Sequence, residues 1–279
     1  MAFHTRSNSF PSRPHPVVQE IDDHLCRLRS SEATSTSSSS SISHKLSGLQ
    51  NLHDCVDRLL QLPLTQQALA QEQNEKWTNE LLDGSLRLLD ICSAAKDALL
   101  QTKECVQDLQ SIMRRTRGGE CGVLTTEVRK YLTSRKMVKK AIHKAIGNVK
   151  RSSFSSLNKN NETIAIVSTL RDVEAVTFAV FESHLSFISG PKSQPSRWSL
   201  VSKMMQSKKV ACEEETEENE FTKVDGVLKS LIGCKTNKSH PQSHLDNLES
   251  CIQDQEEQLE CLFRQLIKTR VSLLNTLNH

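Results

Sequence analysis

LLDGSLRLLDICSAAKDALLQTKECVQDLQSIM, from Leu81 to Met113, places Leu, Ser, Leu, Cys, Ala, Leu, Thr, Val, Leu and Met at positions 81, 85, 88, 92, 95, 99, 102, 106, 109 and 113. Steps that alternate between four and three are the heptad spacing of one long helix with a single apolar seam. Only Ser85 and Thr102 interrupt it. Arg114, Arg115 and Arg117 follow at the carboxyl end, where cations complement the helix dipole, and Gly118-Gly119 is the predicted stop. Upstream, Pro63 is a predicted break and Thr65 a predicted N-cap.

The carboxyl-terminal stretch repeats the pattern. Apolar residues stand at 245, 248, 252, 259, 262, 266 and 273, with Gln255 and Thr269 breaking the row. Phe263, Ile267, Val271 and Leu274 broaden the stripe beyond a two-stranded seam, which predicts packing inside a bundle. Arg264, Lys268 and Arg270 fall beside the stripe, where their stems cover apolar surface and their heads reach water or a carboxylate. Between Glu162 and Ile188 the apolar residues lie nearly all round, the mark of a central buried helix. The β-branched TIAIVSTL also permits a strand there.

Composition agrees with helices. Aromatic residues are 4 % of the 279, and nine glycines and seven prolines are few for this length. The fold class expected is all-α: an elongated multi-helix bundle with coiled-coil-like long helices and a disordered N-terminal arm. Residues 1–16, rich in Ser, Arg and Pro, form that arm. Residues 17–279 are read as one helical-bundle domain, interrupted by a flexible Ser-rich linker at 30–43 and a solvated acidic loop at 213–220.

Nine scattered cysteines, odd in number and without a C-x-x-C pair, predict reduced thiols, several of them small core hydrophobes. The amino terminus has no apolar signal region, and no run of about 18 uncharged apolar residues occurs. Ala2 and the end NTLNH fit neither lipidation pattern. A cytoplasmic location is expected, with peripheral membrane association as one option. The Ser- and Arg-rich terminus leaves the plastid, or the nucleus, as an alternative.

No nucleophile elbow, phosphate-binding loop or dinucleotide fingerprint is present, so a non-enzymatic chain without a cofactor is expected. Cys234, His240 and His244 are the nearest approach to a metal set, and Pro241 keeps the two histidines off one regular helical turn. Charge is more informative. No acid occurs between Glu127 and Glu162, yet Arg129, Lys130, Arg135, Lys136, Lys139, Lys140, Lys144, Lys150 and Arg151 do. Val128, Leu132, Val138, Ile142, Ile146 and Val149 form the opposing stripe of an amphipathic basic helix. Its candidate contacts with an anionic surface are Arg129, Lys130, Arg135, Lys136, Lys139, Lys140 and Lys144. The plain alternative is a solvated face, partly neutralised by the glutamates of 213–220. Nucleic acid is not expected, because aromatic and base-reading partners are missing. In the arm, RSNSFP (Arg6 to Pro11) matches the form read by 14-3-3 proteins once Ser9 is phosphorylated, which makes Ser9 a candidate phosphosite.

FHTRSNSFPSRPHPVVQEIDDHLCRLR, LHDCVDRLLQLPLTQQAL, the stretch from Leu81 to Arg115, FESHLSFI and LECLFRQLIKTRVSLLNTL resemble, in order, the motifs of the plant-specific BYPASS-like family. The resemblance implies a helical protein without recognised catalytic residues, involved in root and shoot development, where it restrains a root-derived mobile signal attributed to carotenoid chemistry. It also implies, as an alternative, a peripheral or exocyst-type trafficking adaptor. The family supplies no site residues to carry over.

Overall fold

Eight of the ten seam positions between 81 and 113 are buried, and Ser85 and Met113 are half-buried. Thr102 is accommodated in the seam because its hydroxyl donates to the Ala98 carbonyl at 2.7 Å. The computed structural model describes residues 15–33, 38–70, 76–115, 121–149, 162–190, 219–232 and 241–278. Among these residues there are eight helices and no strand. They are α1 (Pro16–Ala33), α2 (Ser39–Leu60), α3 (Pro63–Ala70), α4 (Lys76–Arg115), α5 (Cys121–Val149), α6 (Glu162–Ser189), α7 (Glu220–Ile232) and α8 (Pro241–Asn278).

The two longest helices, α4 and α8, run antiparallel. Gln110 donates to Asp246 (2.8 Å), Lys103 meets Glu256 (2.6 Å) and Lys96 meets Glu260 (2.5 Å). Toward the other end of the pair, Arg270 donates to the Leu82 carbonyl and to Ser85 Oγ. Leu245, Leu248, Ile252, Leu259, Leu262, Leu266 and Leu273 are all buried, as their spacing predicts. The broader stripe is corrected. Ile267 and Val271 are 42 % and 49 % exposed, because α8 lies between α2 and α4 and turns those positions outward.

Outside this pair, α2 packs on the other flank of α8, with α1 laid against α2, and α3 closes one end against α8 and α6. Helix α5 folds back on α4, and α7 wedges between α5 and α8. Helix α6 contacts α1, α2, α3, α4, α5 and α7 and is buried on most of its circumference. The strand alternative for TIAIVSTL is therefore wrong. Its exposed positions are a strip of small residues and one acid (Ala165, Ser168, Asp172, Ala175, Ala179, Ser186), flanked by half-buried side chains. Gly190, at φ +75, ends α6 with its N–H on the Ser186 carbonyl at 3.0 Å, the left-handed cap that glycine allows.

Three further expectations change. The Ser-rich linker at 30–43 is helical at both ends: residues 30–33 complete α1, and 39–43 open α2. Ser38 Oγ accepts from Ser41 N at 3.2 Å, and Ile42 inserts into the core. Serine is a strong N-cap, and one buried isoleucine gives that first turn its tertiary anchor. Residues 34–37 lie outside the described residues. Pro16, assigned to the arm, begins α1, and residues 1–14 lie outside the described residues. Thr65 is not the cap of α3, which starts at Pro63, the position where a missing N–H costs nothing; Thr65 is buried one turn inside.

Candidate functional site: the cationic face of α5

Helix α5 is covered by α4, α6 and α7. Val128, Tyr131, Val138 and Ile142 are buried, Leu132 and Ile146 are half-buried, and the remaining side is wet. Arg129, Lys130, Lys136, Lys140 and Lys144 are exposed on that side, with Met137 standing among them at 61 % exposure. Lys130 is paired to Glu127 one turn back, at 2.6 Å. Arg129, Lys136, Lys140 and Lys144 make no ion pair among the described residues.

Two predicted contacts do not belong to this face. Arg135 is 2 % exposed and points inward. Its Nε lies 3.3 Å from Asp225 Oδ1, its Nη2 donates to the Ile188 carbonyl at 2.7 Å, and its guanidinium stacks 5.1 Å from the Phe221 ring. Lys139 is drawn to the same carboxylate, Nζ 2.9 Å from Asp225 Oδ2. A guanidinium cannot be left in an apolar interior without a counter-charge, and Asp225 supplies one from α7. Tyr131 also donates to Asp225 Oδ1 at 3.3 Å, and burial raises the phenol pKa well above its ordinary value.

The cluster also finishes α6. The last carbonyls of a helix lack intrahelical donors, and here Arg135 takes that of Ile188 while Asn219 Nδ2 takes that of Phe187 at 2.8 Å. Asn219 in turn caps α7, its Oδ1 accepting from Thr222 N at 2.9 Å. Helices α5, α6 and α7 are thus tied at one point, with Phe187 and Phe221 edge-on, 5.6 Å between centroids.

Sequence reasoning looked to the 213–220 tract for a counter-charge and missed Asp225. The signal was available: Phe221, Val224 and Leu228 define an inner face, and Asp225 falls on it, which demands a buried cation. Residues 213–218 lie outside the described residues, as do Ser9, Lys150, Arg151, Cys234 and His240. His244 sits in the first turn of α8, and no group of three or more metal-type ligands occurs among the described residues.

Two buried imidazoles face the core. His184 Nε2 meets Gln255 Oε1 at 2.7 Å; Gln255 donates to Cys251 Sγ at 2.9 Å, and Cys251 Sγ lies 3.3 Å from Ser39 Oγ. His53 Nε2 meets Thr177 Oγ1 at 3.1 Å. Burial pushes both histidines down to about 4, so they are neutral structural donors near pH 7. The polar breaks in the α8 seam are thereby explained at Gln255, which pairs with His184.

Among the described residues no helix is long and apolar enough to cross a membrane. Residues 45–276 match the sequence profile of the family described as Protein BPS1. The chain belongs to the BPS1 family. The BPS1 match takes in the cationic face of α5, the Arg135–Asp225 tie and both buried histidines, and leaves α1 and the first turns of α2 outside it. Neither the curated proteins nor the solved structures contain a match.

Proposed function

We propose that this BPS1-family chain is a non-enzymatic regulatory or scaffold protein of plant root and shoot development. In this reading it restrains a root-derived mobile signal and works from the cytoplasmic surface of an anionic membrane. The observation that carries the membrane part is the row of Arg129, Lys136, Lys140 and Lys144 with exposed Met137 at its edge. Each well-placed cation contributes about 1 kcal/mol at an anionic bilayer, so roughly 4 kcal/mol in all, enough for reversible docking. The buried polar groups support the non-enzymatic part, since Arg135, Asp225, His184 and Gln255 are each engaged in holding helices together. An adaptor role in exocyst-type trafficking uses the same face.

Sedimentation with phosphatidylcholine vesicles, with and without phosphatidylserine, tests the reading. The chain sediments only with the anionic vesicles, and the variant with Arg129, Lys136, Lys140 and Lys144 all changed to Glu stays in the supernatant. A wild-type chain that ignores anionic vesicles overturns it. Phospho-dependent 14-3-3 binding at Ser9 is a second part of the proposal, supported by the RSNSFP match. Mass spectrometry of the chain from root tissue that never shows phosphate on Ser9 removes that part.

A further inference from the structure

Helices α1 and α2 enclose a cleft of about 570 Å³ at the end where the serine-rich stretch joins them. His24, Arg27, His44 and Lys45 line it, with no carboxylate among the lining residues. Arg27 Nη2 donates to His24 Nδ1 at 3.2 Å, and Arg27 Nε donates to the Asp23 carbonyl at 3.2 Å. The imidazole of His24 accepts from the guanidinium, which leaves its other ring nitrogen to face the cleft as a donor. The nearby acids are Glu20, paired to Arg58, Asp23, whose carboxylate accepts from Gln19 at 3.2 Å, and Glu32, which meets Ser183 and neutralises Lys45 at 2.8 Å; none of the three lines the cleft. Burial, and next the charge of Arg27, hold His24 below its ordinary value.

Hydroxyls complete the wall. Ser38 Oγ and Ser40 Oγ are 3.1 Å apart, Ser41 joins them in the cleft, and the positive end of α2 opens at the same place. A monocarboxylate has two oxygens to offer. A guanidinium fork, two imidazoles and a group of hydroxyls match the larger number of acceptors on a tetrahedral dianion.

From this geometry we infer that the α1–α2 cleft binds a phosphate group as its dianion, with Arg27 as the charged contact, His24 and His44 as imidazole contacts and Ser40 and Ser41 as hydroxyl donors. The site is separate from the α5 face, since α5 packs on α4, α6 and α7. The phosphate has two sources with one chemistry: a diffusible phosphate compound, or an ester on a serine of the cleft itself.

Histidine side-chain NMR of the full chain, titrated with inorganic phosphate at constant ionic strength set by chloride, tests it. Saturable shifts of the His24 and His44 signals are expected, with the His24 pKa rising as the anion seats. Arg27→Gln, at an exposed position, weakens the apparent affinity tenfold or more. His44→Gln weakens it less, and Lys140→Gln on α5 leaves it unchanged. Shifts that never saturate, or that saturate equally in Arg27→Gln, overturn the inference. Mass spectrometry of the chain from plant tissue separates the sources: phosphate on Ser38, Ser40 or Ser41 identifies an internal ester, and unmodified serines with saturable binding identify a diffusible one. Failure here leaves the vesicle result untouched, and failure of the vesicle assay leaves this one untouched.

Discussion

Arg135 of α5 and Asp225 of α7 meet inside the bundle with 2 % and 6 % of their side chains exposed. Such a pair compensates the desolvation of both charges and contributes little net stability, but breaking it leaves one charge buried alone. Arg135→Ala should cost about 3–5 kcal/mol in urea unfolding. Arg135→Met combined with Asp225→Leu should recover most of that loss, since Lys139 is one-third exposed and can turn to water. If the double variant is no better than the single one, the site holds the helices by geometry and not by charge compensation.

This pair also marks the limit of what the sequence discloses. The seam of α4 and that of α8 were legible because each depends on spacing within one helix, and burial follows spacing at Leu88, Leu99, Ile252 and Leu259. Arg135 was read as surface on its charge alone, although it stands seven residues after Val128 and seven before Ile142, inside the apolar stripe, whereas Lys136 stands off it. What α5 does not contain is the carboxylate that makes this burial possible, Asp225, ninety residues away. Ile267 and Val271 failed for the same kind of reason, since whether α2 or α4 covers a flank of α8 is not written in α8. The serine tract failed differently: its polar composition hid that one cap, Ser38, and one anchor, Ile42, suffice to start a helix.

Gly84 stands in the α4 seam region where a Cβ would lie 2.2 Å from Glu174 Oε2. The glycine makes room for a carboxylate of α6 that is 5 % exposed and paired to Arg87 at 2.9 Å. Burial raises its pKa despite that arginine. Helix propensity favours Gly84→Ala by about 1 kcal/mol, yet the clash should reverse the sign and leave the variant about 1–3 kcal/mol less stable. Adding Glu174→Ala to Gly84→Ala should relieve the clash. A stabilised single variant in thermal unfolding would show that the carboxylate moves aside freely.

His53 and His184 set an acid limit on the fold. Both are held at about 4 in the folded chain by burial, against about 6.5 when unfolded. The unfolded state therefore binds more protons throughout that window. Their contribution is complete above about pH 6.5 and is lost as pH falls toward 4. At about pH 5 each should have lost roughly 2 kcal/mol. Urea midpoints of wild type and His184→Gln, compared between pH 7.5 and 5, check this: the variant should show about half the wild-type loss. Equal losses would mean that His184 gains its proton without cost.

Thiol reactivity follows burial. Cys26 and Cys261 are exposed, while burial pushes Cys92 up to about 12 and Cys251 up to about 11. The thiolate is the reactive form, so among the cysteines of the described residues native alkylation at pH 8 should label Cys26 and Cys261 first and reach Cys92 and Cys251 only on unfolding. Mass mapping of the labelled peptides reads the order directly. Early labelling of Cys92 would mean that α4 and α8 separate on the time scale of the reaction.

Met137 gives the α5 face a component that salt should not remove. At 61 % exposure it projects beside the row of Arg129, Lys136, Lys140 and Lys144 with nothing to cover it among the described residues. Attraction of the four cations to a bilayer is screened within about 8 Å at physiological ionic strength and weakens as salt rises. Burying a methionine side chain gains about 1.5–3 kcal/mol when complete, and partial insertion roughly 1 kcal/mol, with little dependence on salt. Met137→Ser should therefore bind anionic vesicles about fivefold more weakly at every salt concentration, with the slope of binding against salt unchanged. The four-glutamate variant should instead lose the slope. Parallel sedimentation series at low and high salt separate the two effects. A serine variant that matches wild type throughout would place Met137 clear of the lipid and leave docking to the cations alone.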